Sequence, residues 1–246
     1  MPLADNLARI QEAIATACRR AGRAESEVAL MAVSKMQSAA ALRDAYAAGL
    51  RLFGENRVQE WQQKRAEAGD IAGTKMHLIG PLQSNKTNKA AEIFDAVDTV
   101  DSLKIAARLD AAARALGRRL PVLIEVKLSH EESKHGIAPD ELAALVDAMR
   151  GMEGLLPSGL MTVPPWSEDA ETARPYFREL RRLRDEAVRM CATMTALSMG
   201  MSNDFAVAIE EGSTCVRIGT ALFGRRQYAR AAGARQTEST SDTENS

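Results

Sequence analysis

The stretch "VALMAVSKMQSAAALRDAYAAGLRLFGEN" (residues 28–56) decides the fold. Its first eight residues are a short β-rich run, the length of a strand rather than of a helix. Ser38 stands where a helix N-cap belongs, and Gly49 stands where that helix ends. A second β-rich run, "RLFGEN" (51–56), follows at once. A strand, a helix and a strand in this order read as a parallel βα unit.

The alternation continues along the chain. Strand-like runs recur at "KMHLIG" (75–80), "AVDTVDS" (96–102), "PVLIEVKLS" (121–129), "LPSGLMTVP" (156–164), "ALSMGMS" (196–202) and "CVRIGT" (215–220). With the first two they make eight. A helical pattern from Asn56 to Ala68 stops at Gly69. Asp101 or Ser102 opens another that stops before Gly117, and Asn203 or Asp204 opens one that stops at Gly212. Eight βα units predict a (β/α)8 TIM-type barrel, which typically takes about 250 residues. A doubly wound open sheet is the alternative. The opening "MPLADNLARIQEAIATACRRAG" contains acidic residues and no long apolar core, so it reads as an amphipathic helix and not a signal peptide. The closing "AAGARQTESTSDTENS" (231–246) lacks apolar periodicity and reads as a disordered tail. The expected division is a single domain over 1–228 and a tail over 229–246.

Bulk properties narrow the function. The chain has 246 residues, a formal net charge of -1, 46% hydrophobic residues and 26% charged residues, so its near-balanced charge implies neither nucleic acid nor membrane as a partner. Cys18, Cys191 and Cys215 are scattered and odd in number, which argues against a disulfide framework and a zinc site. No run approaches the ~18 apolar residues of a membrane span. The expectation is a soluble, cytoplasmic protein.

In a barrel the C-terminal strand ends share one mouth, where active sites sit. Lys35 ends strand one, Glu55-Asn56 ends strand two, and His77 precedes Gly80-Pro81 at strand three. "MTVPP" ends strand six, Ser198 to Ser202 strand seven, and Arg217 precedes Gly219-Thr220 at strand eight. Lys35 is the sharpest feature. A desolvated lysine amine is freed for Schiff-base chemistry, whereas a snorkelling strand-end lysine is the ordinary structural reading. The turn Ser198-Met199-Gly200-Met201-Ser202, leading into a helix, and the turn at Gly219-Thr220 suit a phosphate held by backbone N–H groups. Plain helix capping by Asn203 or Asp204 is the competing account. Arg217, inside an apolar strand, needs an acceptor: a ring nitrogen, a phosphate, Glu55 or a structural ion pair. His77 reads as a satisfied structural histidine, and the charged helix "YFRELRRLRDEAVRM" as solvated surface. "ESKHGI" (132–137) reads as a loop that puts Lys134 near the rim.

Six blocks in order, "AVSK" (32–35), "FGENRVQE" (53–60), "HLIGPLQSNK" (77–86), "EESKHGI" (131–137), "LSMGMSND" (197–204) and "STCVRIGTALFG" (213–224), resemble the pyridoxal 5′-phosphate homeostasis protein family, over about residues 5–226. The resemblance implies a fold similar to the N-terminal barrel of alanine racemase and pyridoxal 5′-phosphate as a Schiff base on Lys35. It also implies Asn56 beside the cofactor, Ser202, Gly219 and Thr220 at its phosphate with Met201 alongside, and Arg217 facing the pyridine nitrogen. Met36, Met76 and Lys127 depart from the family's usual residues and put the shape of the mouth in question.

An arginine at the ring nitrogen leaves the ring a poor electron sink. Racemisation also needs an acid/base on each face of the substrate carbon. Lys35 can serve one face; Tyr46, Tyr176 and Tyr228 fall in predicted helices or at the domain's end. The expected function is therefore a monomeric, non-catalytic carrier and buffer that delivers the cofactor to apo-enzymes in vitamin B6 homeostasis. A small racemase and a barrel for another phosphorylated metabolite are the alternatives.

Overall fold

The computed structural model describes residues 2–69, 71–129, 131 and 135–224. Lys134, Tyr228 and the expected tail over 229–246 lie outside the described residues, as does the boundary at 228.

The eight expected strands are all present: β1 (Ala29–Val33), β2 (Leu52–Glu55), β3 (Lys75–Leu78), β4 (Ala96–Val100), β5 (Leu120–Glu125), β6 (Leu155–Met161), β7 (Ala196–Ser198) and β8 (Cys215–Ile218). Each pairs in parallel with the next, and β8 pairs with β1, so the sheet closes. The open-sheet alternative is thereby excluded. Around the barrel run α1 (Leu3–Ala21), α2 (Ala39–Ala47), α3 (Val58–Ala68), α4 (Thr87–Ile93), α5 (Leu103–Ala115), α6 (Leu142–Arg150), α7 (Arg174–Met190), α8 (Phe205–Glu210) and α9 (Thr220–Phe223).

Local signals explain these elements. Ser38 caps α2 by accepting the Ala41 N–H at 3.2 Å, and Ser102 caps α5 through Ile105 N–H at 3.3 Å. α3 starts at Val58, two residues later than expected, because Asn56 continues the exit from β2. The amphipathic opening forms α1, which buries Leu7, Ile10, Ile14 and Cys18. Since α8 and α9 are short, α1 supplies the missing helical cover over the last βα units. Asn6 donates to Leu222 O at 2.9 Å, and Arg23 to Ile209 O and Ser213 O at 2.9 and 2.8 Å. α7 buries Phe177, Leu180, Leu183 and Ala187 and exposes the expected charged face.

Strand register divides inward from outward residues. Neighbouring in-register side chains of a parallel sheet share a face, and alternate residues change face. Val33, Gly54 and His77 are in register across β1 to β3, as are Glu125, Met161, Ser198 and Cys215 across β5 to β8. These face the lumen together with Arg217. Ser34 and Glu55 have the opposite parity and face the helix layer.

Candidate functional site

Lys35 stands two residues past the end of β1 and is half-buried. It occupies a turn closed by Gln37 N–H donating to Ser34 O at 3.0 Å. Met36, the next residue, takes φ +60, a region that non-glycine residues rarely enter. Four groups hold this turn from behind. Ser34 Oγ donates to Glu55 Oε1 at 2.7 Å. Lys64 Nζ donates to the same oxygen at 2.6 Å, to Ser34 O at 2.8 Å and to Glu60 at 3.1 Å. Glu60 in turn accepts from Met36 N–H. Burial pushes the Glu55 carboxyl above the usual range, against the pull of Lys64 and Ser34.

Asn56, half-buried, stands one turn of parity above Gly54 at the end of β2. The chain leaving β3 passes close against it: a Cβ on Gly80 would lie 2.3 Å from Asn56 O, so only glycine fits there.

The two phosphate-turn candidates are joined. Ser202 Oγ accepts the Ala221 N–H at 3.2 Å, which ties the turn after β7 to the first turn after Gly219-Thr220. The loops after strands seven and eight of such barrels commonly hold phosphate. Neither competing cap is made. Asp204 Oδ1 accepts from Met201 N–H at 2.6 Å, and Asn203 Nδ2 donates to Ser167 O at 2.9 Å. Asp204 occupies the N-cap position of α8 without a side-chain cap bond. Burial raises its carboxyl above the usual range, partly offset by the Met201 amide and Arg217. Gly200 has φ +95, and a Cβ there would meet Ala208 Cβ at 2.6 Å.

Arg217 is 4% exposed and points into the lumen. Its guanidinium donates to Ser198 O at 2.6 Å, Ser198 Oγ at 2.7 Å and Thr162 O at 2.8 Å, so it clamps β8 to the ends of β7 and β6. Burial lowers its pKa, while Cys215, Asp98, Glu125 and Asp204 oppose that shift. Glu55, one of the partners expected for it, faces the opposite side of the sheet and pairs with Lys64 instead. Asp98 lies on β4, across the barrel from β8, and its charge reaches Arg217 through the lumen. His77 pairs with Asp98 at 3.1 Å. Burial lowers the imidazole pKa, but the Asp98 carboxylate outweighs burial and leaves it above the ordinary value. The Cys215 thiol is pushed up to about 12, first by burial and then by Asp98.

Lys35, Asn56, Met201, Ser202, Gly219 and Thr220 thus share the C-terminal mouth, with Arg217 one step below. Met76 does not shape that mouth. It alternates with His77, faces the helix layer and is 2% exposed. Met36 is exposed on the rim. Lys127 is half-buried at the end of β5, its N–H bonded to Ile137 O at 2.8 Å. Sequence reasoning missed Lys64, Asp98 and Glu125. Lys64 left one trace: it interrupts the core-facing stripe of Val58, Trp61 and Ala68 on α3. The groove between α1 and α8, lined by Arg9, Glu12, Ala13, Thr16, Arg20 and Ala206, shares no residue with this cluster.

Among the described residues no helix is long and apolar enough to cross a membrane. The family described as alanine racemase, N-terminal domain, matches residues 6–227. The pyridoxal phosphate homeostasis protein of Pseudomonas aeruginosa is 45% identical over 226 residues, covering 92% of this chain and 96% of the relative. PipY of Synechococcus elongatus PCC7942, solved with PLP bound, superposes with a TM-score of 0.80 at 40% identity, covering 90% of this chain and 100% of PipY. Alanine racemase of Clostridium difficile 630 shares the fold at 14% identity, with a TM-score of 0.72, and covers 93% of this chain but 61% of its own.

Proposed function

This chain belongs to the pyridoxal phosphate homeostasis protein family, with the alanine racemase N-terminal fold, and on that premise we propose that it holds pyridoxal 5′-phosphate on Lys35 and acts as a carrier and buffer of that cofactor. One observation carries the reading: the Lys35 turn opens onto the same mouth at which Ser202 bridges the β7 and β8 turns. An amine and a cradle of backbone N–H groups are what an aldehyde that bears a phosphate requires.

Ser202, Gly219 and Thr220 hold the phosphate in this reading, with Met201 alongside and Asn56 beside the ring. Arg217 serves the pyridine nitrogen. Its guanidinium stays protonated and offers donors only, so it does not support a protonated ring. When bound, the cofactor supplies an aldehyde that a neutral lysine amine captures reversibly as a Schiff base. Held this way it is kept from stray amines and handed on to apo-enzymes in the cytoplasm by a monomeric protein.

The test is the absorbance spectrum of the purified protein with added cofactor, before and after borohydride, for wild type and Lys35→Ala. A visible Schiff-base band in wild type alone, lost on reduction, supports the reading. No band sinks it and returns the site to a barrel for another phosphorylated metabolite. Transfer to an apo-enzyme faster than from free cofactor then tests the carrier role.

A small racemase is the second reading, favoured by the lumen-facing His77–Asp98 pair, which offers a second acid/base. Tyr46 offers none at the mouth: its hydroxyl bonds Ala72 O at 3.2 Å and its ring carries Arg51. Exchange of an amino-acid α-proton in deuterated water, dependent on both Lys35 and His77, would establish the racemase in place of the carrier.

A further inference from the structure

Behind the Lys35 turn lies a buried cluster that cofactor binding does not use. Glu55 is fully buried, Lys64 is 7% exposed, and their charged atoms are 2.6 Å apart. The second Glu55 oxygen, Oε2, is buried and has no hydrogen-bond partner among the described residues. A buried ion pair with an orphaned acceptor is a poor source of stability, because desolvation offsets the attraction and the orphan adds a further penalty.

What the pair does supply is position. Lys64 Nζ bonds the carbonyl of Ser34, the residue before Lys35, at 2.8 Å. The same ammonium bonds Glu60, whose carboxylate takes the N–H of Met36, the residue after Lys35. Glu55 holds the Ser34 hydroxyl at 2.7 Å. One buried ammonium therefore governs the backbone on both sides of Lys35. The turn it governs contains Met36 at φ +60, a conformation that persists only where the surroundings impose it. The side chain of Lys64 also takes a core-facing place on α3 beside Trp61, where an apolar residue would pack without desolvating a charge.

We propose that Lys64 and Glu55 are positioning residues for Lys35: they fix the turn that presents its amine to an aldehyde at the mouth, and they act on the covalent step rather than on phosphate capture. The proposal rests on the Schiff-base reading above.

Two ligands separate these effects. Pyridoxal 5′-phosphate carries the aldehyde, and pyridoxine 5′-phosphate has the same ring and phosphate with an alcohol in its place. Affinities for both, and the rate at which the Schiff-base band forms, are measured for wild type, Glu55→Gln, Lys64→Met and the double variant. Pyridoxine phosphate affinity is expected to stay at the wild-type value. Pyridoxal phosphate affinity and the band rate are expected to fall about tenfold, the factor that corresponds to the strain of one left-handed residue. Equal weakening of both ligands, or no change in either, overturns the proposal. Where a single buried variant fails to fold, Glu60→Ala gives the same comparison. It removes the acceptor of the Met36 N–H and one of the Lys64 bonds, from a side chain that is 24% exposed. A wild-type chain that binds both ligands alike and shows no band overturns the Schiff-base reading itself, and the positioning role with it.

Discussion

Replacing Arg217 by methionine separates its structural task from any task at the ring nitrogen. Three bonds are lost, to Ser198 O, Ser198 Oγ and Thr162 O. Their acceptors fare differently. Ser198 O keeps the Thr162 N–H at 3.3 Å, and Ser198 Oγ lies within hydrogen-bond reach of the Cys215 thiol. Thr162 O keeps no other described bond, and an orphaned buried acceptor costs about 1–3 kcal/mol. Asp98 and Glu125 also lose a nearby positive charge inside the lumen. Methionine replaces most of the stem and leaves little cavity. Together these predict a loss of about 3 kcal/mol for the protein without cofactor. For a chain of this size that is a melting temperature lower by about 6–12 °C. Arg217→Lys, which keeps the charge and loses the fork, falls between. Calorimetric melts of the three proteins test the clamp. A methionine variant within about 0.5 kcal/mol of wild type, the range of ordinary surface changes, refutes it. A lysine variant that melts lower yet keeps the wild-type cofactor spectrum and affinity preserves the clamp and removes Arg217 from the ring nitrogen.

Two further outcomes follow from the site's geometry. Gly200→Ala places a Cβ 2.6 Å from Ala208 Cβ in a residue at φ +95, so strain and overpacking together destabilise by about 3 kcal/mol and push α8 off the turn after β7; stability to urea and, on the proposed reading, inorganic phosphate affinity should both fall, and an unchanged phosphate affinity would detach this turn from the anion. The imidazole of His77 is held above its ordinary pKa, with Asp98 outweighing burial, so its stabilising effect is complete below about pH 6.5 and fades as the pH rises beyond that through the folded value. The stability difference between wild type and His77→Gln should therefore shrink from slightly acid to slightly alkaline solution, and a difference independent of pH contradicts the pairing.

Local information was enough for much of the architecture. Eight strand runs and the capping residues Ser38 and Ser102 were legible because periodicity and capping act over a few neighbouring residues. Lys35 and the two small-residue turns were legible for a related reason: a barrel gathers all its strand ends at one mouth, so strand ends alone nominate the site. The helix at Asn203-Asp204 shows the limit. Both residues are good caps by type, yet one closes the Met201 turn and the other reaches Ser167 on a different loop. Choosing among acceptors of similar strength is a matter of distance in the folded chain, not of residue type.

The amino-acid sequence by itself determined which segments are strands and helices, their parallel order, and that a lysine, an arginine and two small-residue turns end the strands. Tertiary structure decided what each polar group faces. Glu55 and Gly54 differ by one residue, and in a pleated sheet that step reverses the face. Gly54 therefore faces the lumen and leaves Arg217 to Ser198 on β7 and to the Thr162 carbonyl just past β6, while Glu55 turns outward to Lys64. The Asp98–His77 pair and the grip of Lys64 on both sides of Lys35 arise in the same way, from residues 21 and 30 positions apart in the chain that the pairing of neighbouring strands and its register bring within reach.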